Sequence, residues 1–143
     1  MIMEKINNIR NFLPEGGLTV DLGANIGNVT QHMAELRCTV YAFEPNPYAF
    51  DLLSKRFKDY PNVSCINAAV AEQDGKALLY FHERSQEDEV KWSVGSSLMA
   101  EKNNILEIKK IEVKTIGLSK FILNLNQKID VIKMDVELSL IHI

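Results

Sequence analysis

Only two cysteines occur in 143 residues, Cys38 and Cys65, and both stand inside apolar strand-like runs. A disulfide scaffold is excluded, and two buried free thiols in a reducing compartment are the expected arrangement. Positive charge is not in excess either. Lys and Arg number 16 against 19 Asp and Glu, a formal net charge of -3 with a pI near 5.6. The phosphate-neutralising term that drives general nucleic-acid binding is therefore missing. No apolar run approaches the roughly 18 residues needed to cross a bilayer. Met1-Ile2-Met3-Glu4-Lys5 lacks the charged start and apolar run of a secretory signal. Internal repeats, low-complexity tracts and linker-like stretches are missing too. What remains is 46% hydrophobic and 24% charged, close to the average of a globular domain, which excludes a disordered tail and a collagen-like repeat. The length argues for one domain. The expectation is a cytoplasmic domain with neither a nucleic-acid nor a membrane partner, its oligomeric state left open.

The chain alternates strand and helix. Ile2, Ile6, Ile9 and Leu13 fall on one helical face, which Pro14 and Gly16-Gly17 stop. Leu18 to Leu22 is a short apolar run ending in a glycine loop, a buried strand. Ile26, Val29, Met33 and Leu36 repeat at helical spacing, and Thr39 to Phe43 is a β-branched and aromatic second strand. Asn46-Pro47 starts a helix by a defined mechanism, Asn capping free amides and Pro fitting the first helical position. Phe50, Leu53 and Phe57 give that helix its apolar face, and Val63 to Ile66 is a third strand. Further on, Ala77 to Phe81 reads as a strand. Ile111, Val113 and Thr115 alternate with Glu112 and Lys114 as a half-exposed one. Between them Arg84 to Asn104 shows no period and is long for a connection. Gly117 to Leu125 is expected to be a short helix and Ile129 to Met134 the last strand. Apolar strands alternating with helices imply a parallel sheet covered on both faces. Right-handed crossovers order its strands three, two, one, with the last strand on the far side of strand one. The crevice above strand one is then the expected ligand site.

At that point stands Asp21-Leu22-Gly23-Ala24-Asn25-Ile26-Gly27. Glycines let a ligand approach the backbone, and the helix end beyond them offers amides and partial positive charge. Two nucleotide-type ligands compete for such a loop. A dinucleotide fingerprint needs G-x-G-x-x-G, but the middle glycine is absent and position 28 is Asn. The S-adenosylmethionine loop, D/E-x-G-x-G-x-G, is matched by Asp21, Gly23 and Gly27, with Asn25 replacing its middle glycine. A carboxylate before the loop repels a pyrophosphate and attracts the ammonium of a methionine moiety. A strand–glycine–helix turn that binds nothing is the third possibility. Glu44 argues against it. It ends the second strand about 20 residues after the first glycine, where an acid can accept both hydroxyls of a ribose. Asn67 ends the third strand, where its amide can meet an adenine edge or serve as a turn residue.

These segments resemble the FkbM family of S-adenosylmethionine-dependent methyltransferases. The resemblance runs through Asp21 to Thr30 and Tyr41-Ala42-Phe43-Glu44-Pro45-Asn46-Pro47. It continues through Asn67-Ala68-Ala69-Val70, Ser93-Val94-Gly95-Ser96-Ser97 and Ile129 to Glu137. It implies an α/β fold, the class I methyltransferase Rossmann-like doubly wound sheet, here incomplete: strands one to four plus an inserted strand pair. It implies S-adenosyl-L-methionine as cofactor and O-methylation of a small molecule or glycan. Asp21, Gly23, Ala24, Asn25, Gly27, Glu44 and Asn67 would line the cofactor site. Asp135 and Glu137 would stand at the mouth of the last strand as the catalytic pair, with no metal. The family continues after its Asp-Val-Glu with Gly and an acidic helix, whereas here Leu138-Ser139-Leu140-Ile141-His142-Ile143 follows. Residues 1–137 are thus expected to be the N-terminal part of one methyltransferase domain and 138–143 a non-native tail. The fragment itself is expected to be poorly stable and inactive.

The sulfonium is already a good leaving group, so catalysis lies mainly in alignment. Asp135 is the best-placed base by strand-end position. His32 and His82 read as surface or packing residues, and no Cys/His/Asp spacing suggests a metal. Trp92 with Ser93, Ser96 and Ser97 suits a lid, an acceptor pocket or a simple anchor of the long loop.

Overall fold

A computed structural model of the chain describes residues 10–82 and 108–135. Its elements run β1 (Leu18–Leu22), α1 (Asn28–Glu35), β2 (Thr39–Phe43), α2 (Pro47–Arg56), β3 (Val63–Ile66), β4 (Ala69–Ala71), β5 (Gly75–His82), β6 (Ile108–Gly117), α3 (Leu118–Leu125) and β7 (Val131–Met134). A four-stranded sheet has the order β3-β2-β1-β7, all parallel, as right-handed crossovers require.

The central strand, β1, is buried along its whole length, as expected of a parallel strand covered on both faces. Side-chain alternation sends the two faces into separate cores. Met33, Val40, Ala42, Leu53 and Phe57 pack beneath α1 and α2. Val20, Leu22, Phe43, Ala68 and Val70 pack on the opposite face, with half-buried Phe121 and Ile129 against them. Phe121 closes that side through edge-to-face contacts with Tyr41 and Phe43, ring centroids 5.4 and 5.0 Å away. The α2 start is as expected: Pro47 takes the first helical position and Asn46 Oδ1 accepts from the Tyr48 amide at 3.0 Å.

The inserted part departs from the expected strand pair. It is a three-stranded sheet of order β4-β6-β5, with β4 parallel and β5 antiparallel to β6. Ala69–Ala71 is too short and too alanine-rich to show a period-two pattern, and only its tertiary pairing with Thr115 to Gly117 makes it a strand. Within β6 the alternation holds, Val113 and Thr115 buried and Glu112 and Lys114 exposed. The last strand begins at Val131 rather than Ile129, because Asp130 is drawn into the start of β1: its Oδ2 accepts from the Leu18 amide at 2.9 Å. Cys38 is buried and Cys65 half-buried, and both are free thiols. Burial pushes both thiols up from their ordinary pKa.

Of the expected first helix, Arg10 is helical and Leu13 is buried in the core, while Ile2, Ile6 and Ile9 lie outside the described residues. Trp92, Ser93, Ser96, Ser97, Glu137 and the 138–143 tail also lie outside them.

Candidate active site

The loop from β1 to α1 occupies the carboxyl end of the sheet, where β1, β2 and β7 end side by side at Leu22, Phe43 and Met134. Its turn is made by three left-handed residues: Gly23 (φ 77), Asn25 (φ 53) and Gly27 (φ 90). Asn is among the few side-chain-bearing residues that enter this region readily, which accounts for its standing where a glycine was expected. Gly27 has no such freedom. A Cβ there would fall 2.4 Å from Cε2 of Phe57 and 2.8 Å from Cδ1 of Leu53. Glycine thus lets α1 start directly against α2.

Hydrogen bonds to β2 fix the loop on one side. The amides of Gly23 and Ala24 donate to the Phe43 carbonyl at 3.0 and 2.9 Å. Glu44 completes this clamp. Its Oε2 accepts from the Asn25 amide at 2.7 Å and its Oε1 from the Asn46 amide at 2.8 Å. The side chain is only 6% exposed, and burial pushes its carboxyl above the usual range against the pull of those amides and of Lys133. Asn67 braces the same turn. Its Nδ2 donates to the carbonyls of Glu44 at 2.8 Å and Pro45 at 3.3 Å, and the residue is exposed. That donor is therefore engaged by backbone instead of facing outward for an adenine.

Asp21 stands differently from the sequence expectation of an acid open to an ammonium. It is fully buried. Its Oδ2 accepts from Thr30 Oγ1 at 2.7 Å. Its Oδ1 stands 3.0 Å from Lys133 Nζ. That second contact is one of charge: among the described residues no hydrogen-bond donor is directed at Oδ1. The Lys133 ammonium donates instead to the Gly23 carbonyl at 3.0 Å. Lys133 lies opposite Asp21 in the β1–β7 ladder, which puts both side chains on one face. Removing Lys133 would leave a buried carboxylate without its counter-charge, a loss on the order of 3–5 kcal/mol.

Asp135 follows β7, its amide bonded to the Leu22 carbonyl at 2.9 Å. Its carboxylate is largely exposed and 3.8 Å from Lys133 Nζ. The described part of the crevice therefore brings together Asp21, the Gly23–Gly27 turn, Glu44 and Asp135, with Ala24 buried beneath it. Sequence reasoning missed Thr30 and Lys133. The available signal was a single cation in an otherwise apolar strand, at the register position that faces Asp21. His32 is used elsewhere: its Nδ1 accepts from Arg10 Nε at 2.9 Å, and burial with the Arg10 charge lowers its pKa. Among the described residues no group of three or more His, Cys, Asp and Glu side chains could hold a metal ion, and no helix is long and apolar enough to cross a membrane.

A parallel sheet in this order, with a glycine turn after β1 and an acid ending β2, is the Rossmann-like α/β arrangement of class I methyltransferases. Residues 21–137 match the methyltransferase FkbM domain, and the chain belongs to that family, whose cofactor is S-adenosylmethionine. None of the curated proteins compared matches the chain. Among solved structures, an rRNA methylase from Streptococcus thermophilus is 27% identical over 48% of this chain and 39% of its own, with a TM-score of 0.42. TYW2 from P. horikoshii, in complex with MeSAdo, is 23% identical over 46% of this chain and 26% of its own, TM-score 0.42. Coclaurine N-methyltransferase, bound to N-methylheliamine and SAH, is 22% identical over 47% and 21%, TM-score 0.40. The chain thus spans two fifths or less of the length of these structures.

Proposed function

We propose that the whole protein transfers a methyl group from S-adenosylmethionine to a hydroxyl of a small molecule or sugar. The observation that carries this is the joint position of the Gly23–Gly27 turn and Glu44 at the ends of adjacent parallel strands. The chemistry of the side chains fits the cofactor. Each Glu44 oxygen accepts one amide and keeps a second lone pair for a ribose hydroxyl. Asp21 lies beneath the turn with its buried carboxylate already paired to Lys133, so it shapes the loop from inside. Gly23, Ala24, Asn25 and Gly27 would shape the wall against which the cofactor lies, with Asn67 bracing the Glu44–Pro45 turn at its adenine end.

S-adenosylmethionine, when bound, supplies a methyl carbon on a sulfonium that needs little further activation. The work left to the protein is alignment of the acceptor oxygen and exclusion of water. Asp135, exposed at the strand mouth, would take the acceptor's hydroxyl proton on its carboxylate, with Glu137 two residues further along the chain. A net charge of -3 favours an uncharged acceptor over a polyanionic one.

Calorimetry with S-adenosylhomocysteine tests the reading. Glu44→Ala should weaken binding by about 1–3 kcal/mol, the range for a lost hydrogen bond to a charged group. Unchanged affinity would remove Glu44 from the site, and binding of NAD in place of S-adenosylhomocysteine would overturn the assignment. Transfer of labelled methyl by the whole protein to a panel of sugars, polyketides and peptides tests the acceptor. Tight cofactor binding with no transfer to any of them would favour a non-catalytic binding module.

A further inference from the structure

We propose that Lys133 is the positioning residue of the cofactor loop, holding the Gly23 peptide and the Asp21 carboxylate in place from β7. The proposal rests on the reading of this crevice as an S-adenosylmethionine site and adds a residue to it. The loop contains three left-handed residues within five positions, two of them glycines whose backbone is free to adopt other conformations, so its shape depends on its ties to the neighbouring elements. From the β2 side it is held by the Phe43 carbonyl and the Glu44 carboxylate. The far end is held from α2, where Arg56 Nη1 donates to the Ile26 carbonyl at 3.1 Å. Among the described residues, the side-chain tie from β7 is the Lys133 ammonium, its Nζ 3.0 Å from the Gly23 carbonyl.

That ammonium acts on two parts of the loop at once. It fixes the peptide that opens the turn and stands 3.0 Å from Asp21 Oδ1, while the other Asp21 oxygen is bonded to Thr30 of α1. One buried chain of contacts therefore runs from β7 through β1 to the first turn of α1. The strand that ends beside the exposed Asp135 is coupled by it to the helix start that faces the cofactor. The Lys133 side chain is 16% exposed, close enough to the mouth to feel a ligand and buried enough that its position is set by its partners. Without it the Gly23 carbonyl loses its donor and the β7 side of the loop is released, although the β2 clamp stays intact.

Binding of S-adenosylhomocysteine by the 143-residue chain, followed by calorimetry beside thermal melting, tests this. Lys133→Met should lose affinity at least about tenfold, the effect of one charge-assisted hydrogen bond. Lys133→Arg, which keeps the charge and a donor, should rescue most of it. The double variant Asp21→Asn/Lys133→Met removes both buried charges together, so its melting temperature should recover toward that of the parent. Its affinity should stay below that of Asp21→Asn alone, because the Gly23 carbonyl is still untethered. Unchanged affinity in Lys133→Met would overturn the proposal, and so would a double variant that binds as well as Asp21→Asn alone. A parent chain that melts cooperatively and still shows no binding would overturn the underlying reading of the crevice, a result distinct from either of these.

Discussion

Replacing Gly27 by alanine loads the cofactor turn with two separate penalties, and Gly16 offers a control that carries only one of them. Both glycines are left-handed, with φ of 90 at Gly27 and 72 at Gly16. A side chain in that region costs about 1–2 kcal/mol through the clash of Cβ with the backbone. Around Gly16 nothing lies within 4 Å of an added Cβ, so backbone strain is the whole effect. At Gly27 the same atom would stand 2.4 Å from the Phe57 ring and 2.8 Å from a Leu53 methyl. Phe57 is 3% exposed and Leu53 fully buried, so neither can swing into solvent to make room. Overpacking of this kind adds about 1–3 kcal/mol. Gly16→Ala should therefore lose about 1–2 kcal/mol, and Gly27→Ala about 2–5 kcal/mol. Urea unfolding followed by far-ultraviolet circular dichroism reads both, provided the denaturant slope is shared. Equal losses in the two variants would show that α1 and α2 do not meet at Gly27 as described.

Thr30→Val keeps the shape of the side chain but removes the donor to Asp21 Oδ2. It should cost about 1–3 kcal/mol by leaving a buried carboxylate oxygen without its bond, and a urea midpoint indistinguishable from the parent's would refute that. Asn46→Ala removes the side-chain acceptor of the Tyr48 amide and should cost about 1 kcal/mol, measured in the same titration. Burial raises the Glu44 carboxyl pKa, so the folded chain holds that proton more tightly than the unfolded one. The stabilisation is fully present below the ordinary carboxylate value and is lost as pH rises through the raised one. Across that window the parent's melting temperature should fall relative to that of Glu44→Gln, and a pH-independent difference would refute the assignment. Affinity for S-adenosylhomocysteine should rise over the same window as the carboxylate ionises, and calorimetry in matched buffers reads it.

The parallel sheet and its strand order were legible in the sequence because local signals agreed with one another. Apolar runs at Leu18–Leu22 and Thr39–Phe43, the Asn46-Pro47 helix start and the glycine turn each carry a short-range mechanism. Right-handed crossovers then leave one arrangement of the strands. The same holds for the positions of Glu44 and Asp135 at strand ends. Residues whose structure comes from distant partners were not legible. Ala69–Ala71 is a strand only because Thr115–Gly117 pairs with it, and Asn67 is a brace only because the Glu44–Pro45 carbonyls lie within reach of its amide.

Asp21 makes the division clearest. Its place two residues before Gly23 is a sequence fact and identifies the loop. Whether its carboxylate faces a ligand or the interior depends on Thr30, one helical segment later, and on Lys133, more than a hundred residues away. Periodicity and loop chemistry act over a few residues, so the sequence by itself determined the sheet, the turn and the acids at the strand ends. The pairing of buried charges depends on which strands become neighbours. Only the tertiary structure, by laying β7 beside β1, decided that Asp21 is held by a lysine.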